Sequence, residues 1–145
     1  VSAPLVDLFG EVLREIRDDT AIKALTNGYV WNEVPDLWNG VPLPTDARPY
    51  ILLKDLTTAR MERAPIQTGR FMVISVGKSP RLAKQLYGLV SAVLHIQGPR
   101  VNSGVGIYLS KEEVGGQPGV DPQTHYPTST AIYEVFADTG VFALA

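Results

Sequence analysis

An α+β fold is predicted for this chain, with a mainly antiparallel sheet and with an N-terminal helix and one long central helix packed on one face. Three features of the sequence predict it. Apolar residues recur at helical spacing in two long stretches, from Leu5 to Ile16 and from Leu82 to Ile96. Strand-like runs occur singly between and after them, at residues 29–31, 51–53, 70–76, 101–109 and 130–137. Helices and strands are therefore partly segregated, with no regular strand–helix–strand repetition and no internal repeat.

The N-terminal helix carries Leu5, Leu8, Phe9, Val12, Leu13 and Ile16 as one stripe. Ser2 is placed to cap it and Pro4 to sit in its first turn, where a missing N–H costs little. Asp7 and Glu11 lie early and Arg14 and Arg17 late, the order that suits the helix dipole. Asp18-Asp19-Thr20 offers a second cap for a short helical turn with Ile22 and Leu25 facing inwards. Asn27-Gly28 stops it by supplying a left-handed residue.

Tyr29-Val30-Trp31 reads as a short strand, and Ile51-Leu52-Leu53 as a central strand apolar on both faces. Ser79-Pro80 is a helix start, a cap followed by Pro at the first helical position. The helix then runs through Leu86, Leu89, Val93 and Ile96 to Gly98-Pro99. Arg81 and Lys84 stand in its first turn against the dipole preference. Val101, Ser103, Val105, Ile107 and Leu109 alternate with smaller or polar residues as one half-buried strand. Residues 130–137 (TAIYEVFA) form a last strand, and VFALA at the C-terminus is a candidate for a short extra one.

Composition bounds the function. The 145 residues suit one domain, and an apolar fraction of 45% fills a core. A net charge of −2 argues against a strongly basic nucleic-acid binder. The absence of cysteine removes disulfides, thiolate chemistry and Cys-ligated zinc. The N-terminal stretch has neither the basic region nor the apolar run of a signal peptide, which points to synthesis in the cytoplasm. No stretch approaches the roughly 20 apolar residues of a membrane span.

No constellation suggests a reaction. His95 and His125 are the only histidines, with no acidic residue at metal-ligand spacing from either. Glu112-Glu113 and Asp18-Asp19 are adjacent pairs, whose side chains point apart on a helix or strand. Gly104-Val105-Gly106 lies in a strand pattern, lacks a third glycine and precedes no helix, so it is no dinucleotide fingerprint. A close backbone approach or a bulge explains it. Neither a nucleophile elbow nor a phosphate loop is present.

Three connections read as long loops: residues 35–49, with four prolines, residues 57–69, and residues 111–128, rich in Gly and Pro. Ordinary connections take about 4–6 residues, so long ones call for a function, and contact with partners is the expectation. Trp38 in the first loop is a candidate interface anchor. Residues 57–70 carry Arg60, Arg63 and Arg70 against Glu62, a net of +2. Residues 111–128 carry Glu112, Glu113 and Asp121 against Lys111, a net of −2. A basic and an acidic loop on one protomer suit a head-to-tail self-contact, which charge reversal at Arg60 and Arg63 is expected to weaken.

The layout resembles the tail-terminator, or tail-completion, proteins of long-tailed bacteriophages and phage-like particles. The resemblance rests on Ile22-Lys23-Ala24-Leu25 after an amphipathic helix, Gly28-Tyr29-Val30, Val34-Pro35, and Pro49-Tyr50-Ile51-Leu52-Leu53. Residues 70–76, 79–96, 101–109 and 130–137 fill the strand, long helix and closing strands that follow. The stretch at 111–128 is longer than the family pattern. The resemblance implies a virion structural subunit with no catalytic or cofactor residues. It also implies a ring, hexameric in the family, that caps the head-proximal end of the tail tube and ends tube polymerisation. The partners so implied are further copies of the chain, the tail tube protein and a head-side connector or stopper, with DNA passing through the lumen. The alternatives are another head–tail joining or tail-tube protein and, in a different class, a small α+β ligand-binding domain or enzyme.

Overall fold

The computed structural model describes residues 7–32, 49–60, 66–95, 98–102, 105–122 and 125–138. They form α1 (Leu8–Asp18), α2 (Thr20–Thr26), β1 (Val30–Trp31), β2 (Tyr50–Arg60), β3 (Ile66–Val76), α3 (Pro80–Leu94), β4 (Arg100–Asn102), β5 (Val105–Val120) and β6 (Pro127–Asp138). The fold is α+β, as the segregation of helices and strands predicts.

Local chemistry sets the helix ends. The Asp7 carboxylate accepts from the Gly10 N–H at 3.0 Å and caps α1. Asp19 caps α2 by accepting from Ile22 N–H at 3.1 Å, and Asn27, at φ 55°, ends it in the left-handed region. Ser79 accepts from Leu82 N–H at 3.2 Å, with Pro80 opening α3.

The six strands lie in the order β1-β2-β3-β6-β5-β4. Only β1 and β2 pair in parallel, and every other pair is antiparallel. Alternate strand residues face the helices. On that side Ile51, Leu53, Phe71, Val73, Ala131, Tyr133, Val135 and Ala137 pack against Leu8, Val12 and Ile16 of α1, Ile22 of α2, and Leu86, Val90 and Leu94 of α3. Each buried Leu, Ile, Val or Phe among them contributes on the order of 1.5–3 kcal/mol. Arg100 of β4 pairs with Glu15 of α1, Nη2 to Oε1 at 2.9 Å, and donates to Ser110 Oγ at 3.0 Å. These bonds tie the far edge of the sheet to the helix layer. No helix among the described residues is long and apolar enough to cross a membrane.

Several boundaries differ from expectation. The cap of α1 is Asp7, read from sequence as a first-turn acid; Ser2 and Pro4 lie outside the described residues. Helix α3 ends at Leu94, with His95 as its C-cap, short of Ile96. The single strand expected over 101–109 is a hairpin, because β4 and β5 pair Asn102 with Val105 and Arg100 with Ile107.

Two of the three expected long loops are mostly strand. Residues 57–60 continue β2, and β3 begins at Ile66. Residues 111–120 continue β5 through Gly115-Gly116 and Pro118-Gly119, paired with β6 as far as Val120 opposite Pro127. The register of this pairing shifts at three points, and the shift between Val114 and Gln117 absorbs Gly115 and Gly116 as a bulge. Past Ile107, β5 has no strand beside it except β6 among the described residues, and an edge strand tolerates a proline that a central one would not. Most of the first loop, residues 33–48, lies outside the described residues, as does the C-terminal VFALA.

Candidate assembly surface

The sheet face turned away from the helices carries three kinds of residue in successive rows. Following the registers across the strands, one row reads Lys54, Met72, Ile132 and Val114. The next reads Thr57, Arg70, Glu134 and Lys111, and a further one Thr68, Phe136 and Leu109. An antiparallel sheet with one solvated face ordinarily alternates apolar-in with polar-out. Here the outward side also carries half-buried Ile66, Met72, Ile74, Leu109, Ile132 and Phe136.

Four of its charges pair inside the protomer. Arg70 donates to Glu113 through Nη2 at 2.9 Å and Nε at 3.0 Å. Lys111 lies 3.8 Å from Glu134, and its ammonium sits 5.7 Å above the Phe136 ring. With Lys54, three cations stand against two anions, a net of +1, which is too little for the basic footprint of a phosphate-binding surface.

At one end of the face, Ile66, Tyr108, Leu109 and Phe136 line an open hollow of about 340 Å³. Tyr108 reaches it because the register slips between Ile107 and Leu109, leaving this residue as a bulge. A second bulge, between Asp55 and Thr57, leaves Leu56 outside the pairing of β2 with β3. The exposed large apolar side chains among the described residues are Leu56 at 38%, Tyr108 at 41%, Val114 at 37% and Val120 at 62%. Three of these four lie on β5.

At the other end of the same face, Tyr50, Leu52 and Val76 form a smaller core with Tyr29, Trp31, Ile74 and Tyr126. Trp31 stacks on Tyr29 with ring centroids 5.1 Å apart. Tyr50 crosses this cluster to donate its hydroxyl to Asp121 at 2.8 Å.

A half-buried carboxylate lies on the helix side. Glu112 Oε1 accepts from the Tyr87 hydroxyl of α3 at 2.7 Å and from the Tyr133 hydroxyl of β6 at 3.3 Å. The Glu112 N–H donates to His95 Nδ1 at 3.1 Å. The hydrogen bond to the Glu112 carboxylate, followed by burial, raises the Tyr87 pKa above the ordinary phenol value. Burial, followed by the Glu112 charge, raises that of Tyr133 much further. Both phenols are therefore held neutral, which suits a structural clamp between α3, β5 and β6. Among the described residues no three His, Cys, Asp or Glu side chains are grouped so as to hold a metal ion.

The residues singled out from sequence fall in three groups. Trp38 and Arg63 lie outside the described residues, and Arg60 closes β2 with only its backbone described. Arg70 and Glu113, expected on a basic and an acidic loop meeting between protomers, are brought together within one. Glu112 serves the tyrosine clamp, and Asp121 is buried at 6% exposure beneath Tyr50. Sequence reading passed over Leu56, Tyr108 and Phe136. The signal for them lies in strand register, which places two as bulges and one beside a lysine.

No protein-family model matches the chain, and no curated protein matches it. Among solved structures, a chain from the virion of a native gene transfer agent particle shares the fold, with a TM-score of 0.67 and 16% identity. The match covers 90% of this chain and 94% of that one. A second solved chain, 20% identical, matches with a TM-score of 0.50 over 87% of this chain and 94% of its own length. At these identities the likeness is one of fold, and it extends over almost the whole of both partners.

Proposed function

We propose that this chain is a non-enzymatic structural protein of a phage-like virion. In this reading it is a tail-terminator-type subunit that forms a ring on the head-proximal end of the tail tube, stops tube growth and joins the tail to the head-side connector. The observation that carries the reading is the fold shared, nearly end to end, with a chain from a gene transfer agent virion. The character of the helix-free face supports it. That face carries half-buried apolar side chains, has most of its charges paired within the protomer and is bordered by exposed apolar side chains, a composition suited to packing against protein. Trp38, Arg60 and Arg63 remain proposed contact residues, and DNA passes the ring without specific binding.

Tube assembly in vitro tests this. Added in substoichiometric amount to polymerising tube protein, the chain shortens the tubes and caps one end, as seen by negative-stain electron microscopy. Unchanged tube lengths contradict the reading. Tubes built from this chain alone support the alternative of a tube protein.

A further inference from the structure

We infer that the two edges of the sheet meet in one heterologous self-contact, in which Leu56 of one protomer enters the hollow lined by Ile66, Tyr108, Leu109 and Phe136 on the next. The inference rests on the ring-forming reading above and names the surfaces that would close the ring.

Four observations carry it. Knob and hollow lie towards opposite edges of the sheet, Leu56 on β2 and Tyr108 and Leu109 on β5, so a protomer offers each to a different neighbour. Both are made by bulges, which re-aim single side chains out of a regular strand. Their flanks are complementary in charge. Exposed Asp55 stands beside Leu56, with no ion pair among the described residues, and the Lys111 ammonium stands over Phe136 in the wall of the hollow. Lys111 is half exposed and its pair with Glu134 is loose at 3.8 Å, which leaves ammonium donors for a second carboxylate.

The fourth observation is level. Asp55 lies in the row Phe71, Tyr133 and Glu112, and Lys111 lies in the adjoining row with Arg70 and Glu134. A cyclic assembly has no translation along its axis, so surfaces that meet around a ring must lie at nearly one height. Leu109 and Phe136 are a few rows further along, about 10 Å at the rise of a strand, a difference taken up by tilting the strands to the ring axis. Two surfaces at opposite ends of the strands would instead build a helical filament.

The native chain has no cysteine, which allows a direct test. Leu56→Cys and Tyr108→Cys replace exposed side chains, and the variants are made singly and together, then oxidised at concentrations where the unmodified protein assembles. The double variant is expected to give a ladder of covalent dimers, trimers and larger species on a non-reducing gel, and each single variant none. Covalent dimers from Leu56→Cys alone would indicate a two-fold contact and overturn the inference. So would a double variant that stays uncrosslinked although native mass spectrometry shows the unmodified ring. That second result leaves the ring reading standing and removes only this contact. A protein that is monomeric at every concentration and on tube ends removes both. In an independent arm, Leu56→Asp is expected to shift the native mass from ring to single protomer with the circular dichroism spectrum unchanged. Retention of the ring by Leu56→Asp counts against the contact.

Discussion

The Tyr50 hydroxyl donates to the Asp121 carboxylate at 2.8 Å, joining the first residue of β2 to the turn that links β5 and β6, 71 positions later. That turn is itself pinned by Asp121 N–H to Tyr126 O at 2.9 Å and by His125 N–H to Asp121 O at 2.8 Å, with His125 at φ 61°. One side-chain bond thus spans the sheet from β2 to β5 over the small aromatic core.

Tyr50→Phe keeps the ring packing and removes the bond. Because the acceptor is a buried carboxylate, the expected loss of stability is about 1.5–3 kcal/mol. Urea denaturation checks it against Tyr108→Phe, an exposed control expected to stay within about 0.5 kcal/mol of the parent.

Two glycines should respond in opposite senses. A Cβ at Gly77, between β3 and α3, would lie 2.7 Å from the Ala83 backbone nitrogen and 3.1 Å from the Leu82 carbonyl carbon. Backbone atoms cannot step aside, so Gly77→Ala is expected to cost about 1–3 kcal/mol. Gly88, exposed on α3, has nothing within 4 Å of the added carbon, and Gly88→Ala should stabilise by about 0.5–1 kcal/mol. Thermal denaturation of the two variants separates the outcomes.

Alkaline pH should unfold the protein through the tyrosine clamp. Tyr87 and Tyr133 have pKa values raised in the folded state, so above about pH 10 the unfolded chain releases protons that the folded one retains. The contribution of these two groups is then constant below that pH and falls as pH rises beyond it. Tyr133→Phe should make the fall less steep by one proton, measured as the slope of unfolding free energy against pH. An unchanged slope would mean that Tyr133 ionises freely in the fold.

The Arg70–Glu113 pair is half exposed, so Glu113→Gln is expected to change stability by less than about 1 kcal/mol, with the difference shrinking in salt. Chemical denaturation at two salt concentrations checks this.

What was legible in the sequence was local. Ser79-Pro80, Asp19 and Asn27-Gly28 mark helix ends because each solves a backbone problem within three or four residues. The apolar stretches of β2, β3 and β6 were equally readable, since burial imposes its period directly. The continuation of β5 was not. Gly115, Gly116 and Pro118 are breakers by their own chemistry, and only an edge position with bulges opposite β6 accommodates them. The pairing of Arg70 with Glu113, the burial of Asp121 and the emergence of Leu56 and Tyr108 all depend on register between strands far apart in sequence. No local pattern encodes that register, so the assembly surface appeared only once the strands were paired.

The most direct measurement of the central claim is a cryo-electron microscopy reconstruction of the intact particle that carries this chain. The account predicts a single ring of the protein between the last tube layer and the head-side connector, with the helix-free sheet faces packed against protein. Density for the chain along the length of the tube, or its absence from the neck, would contradict it.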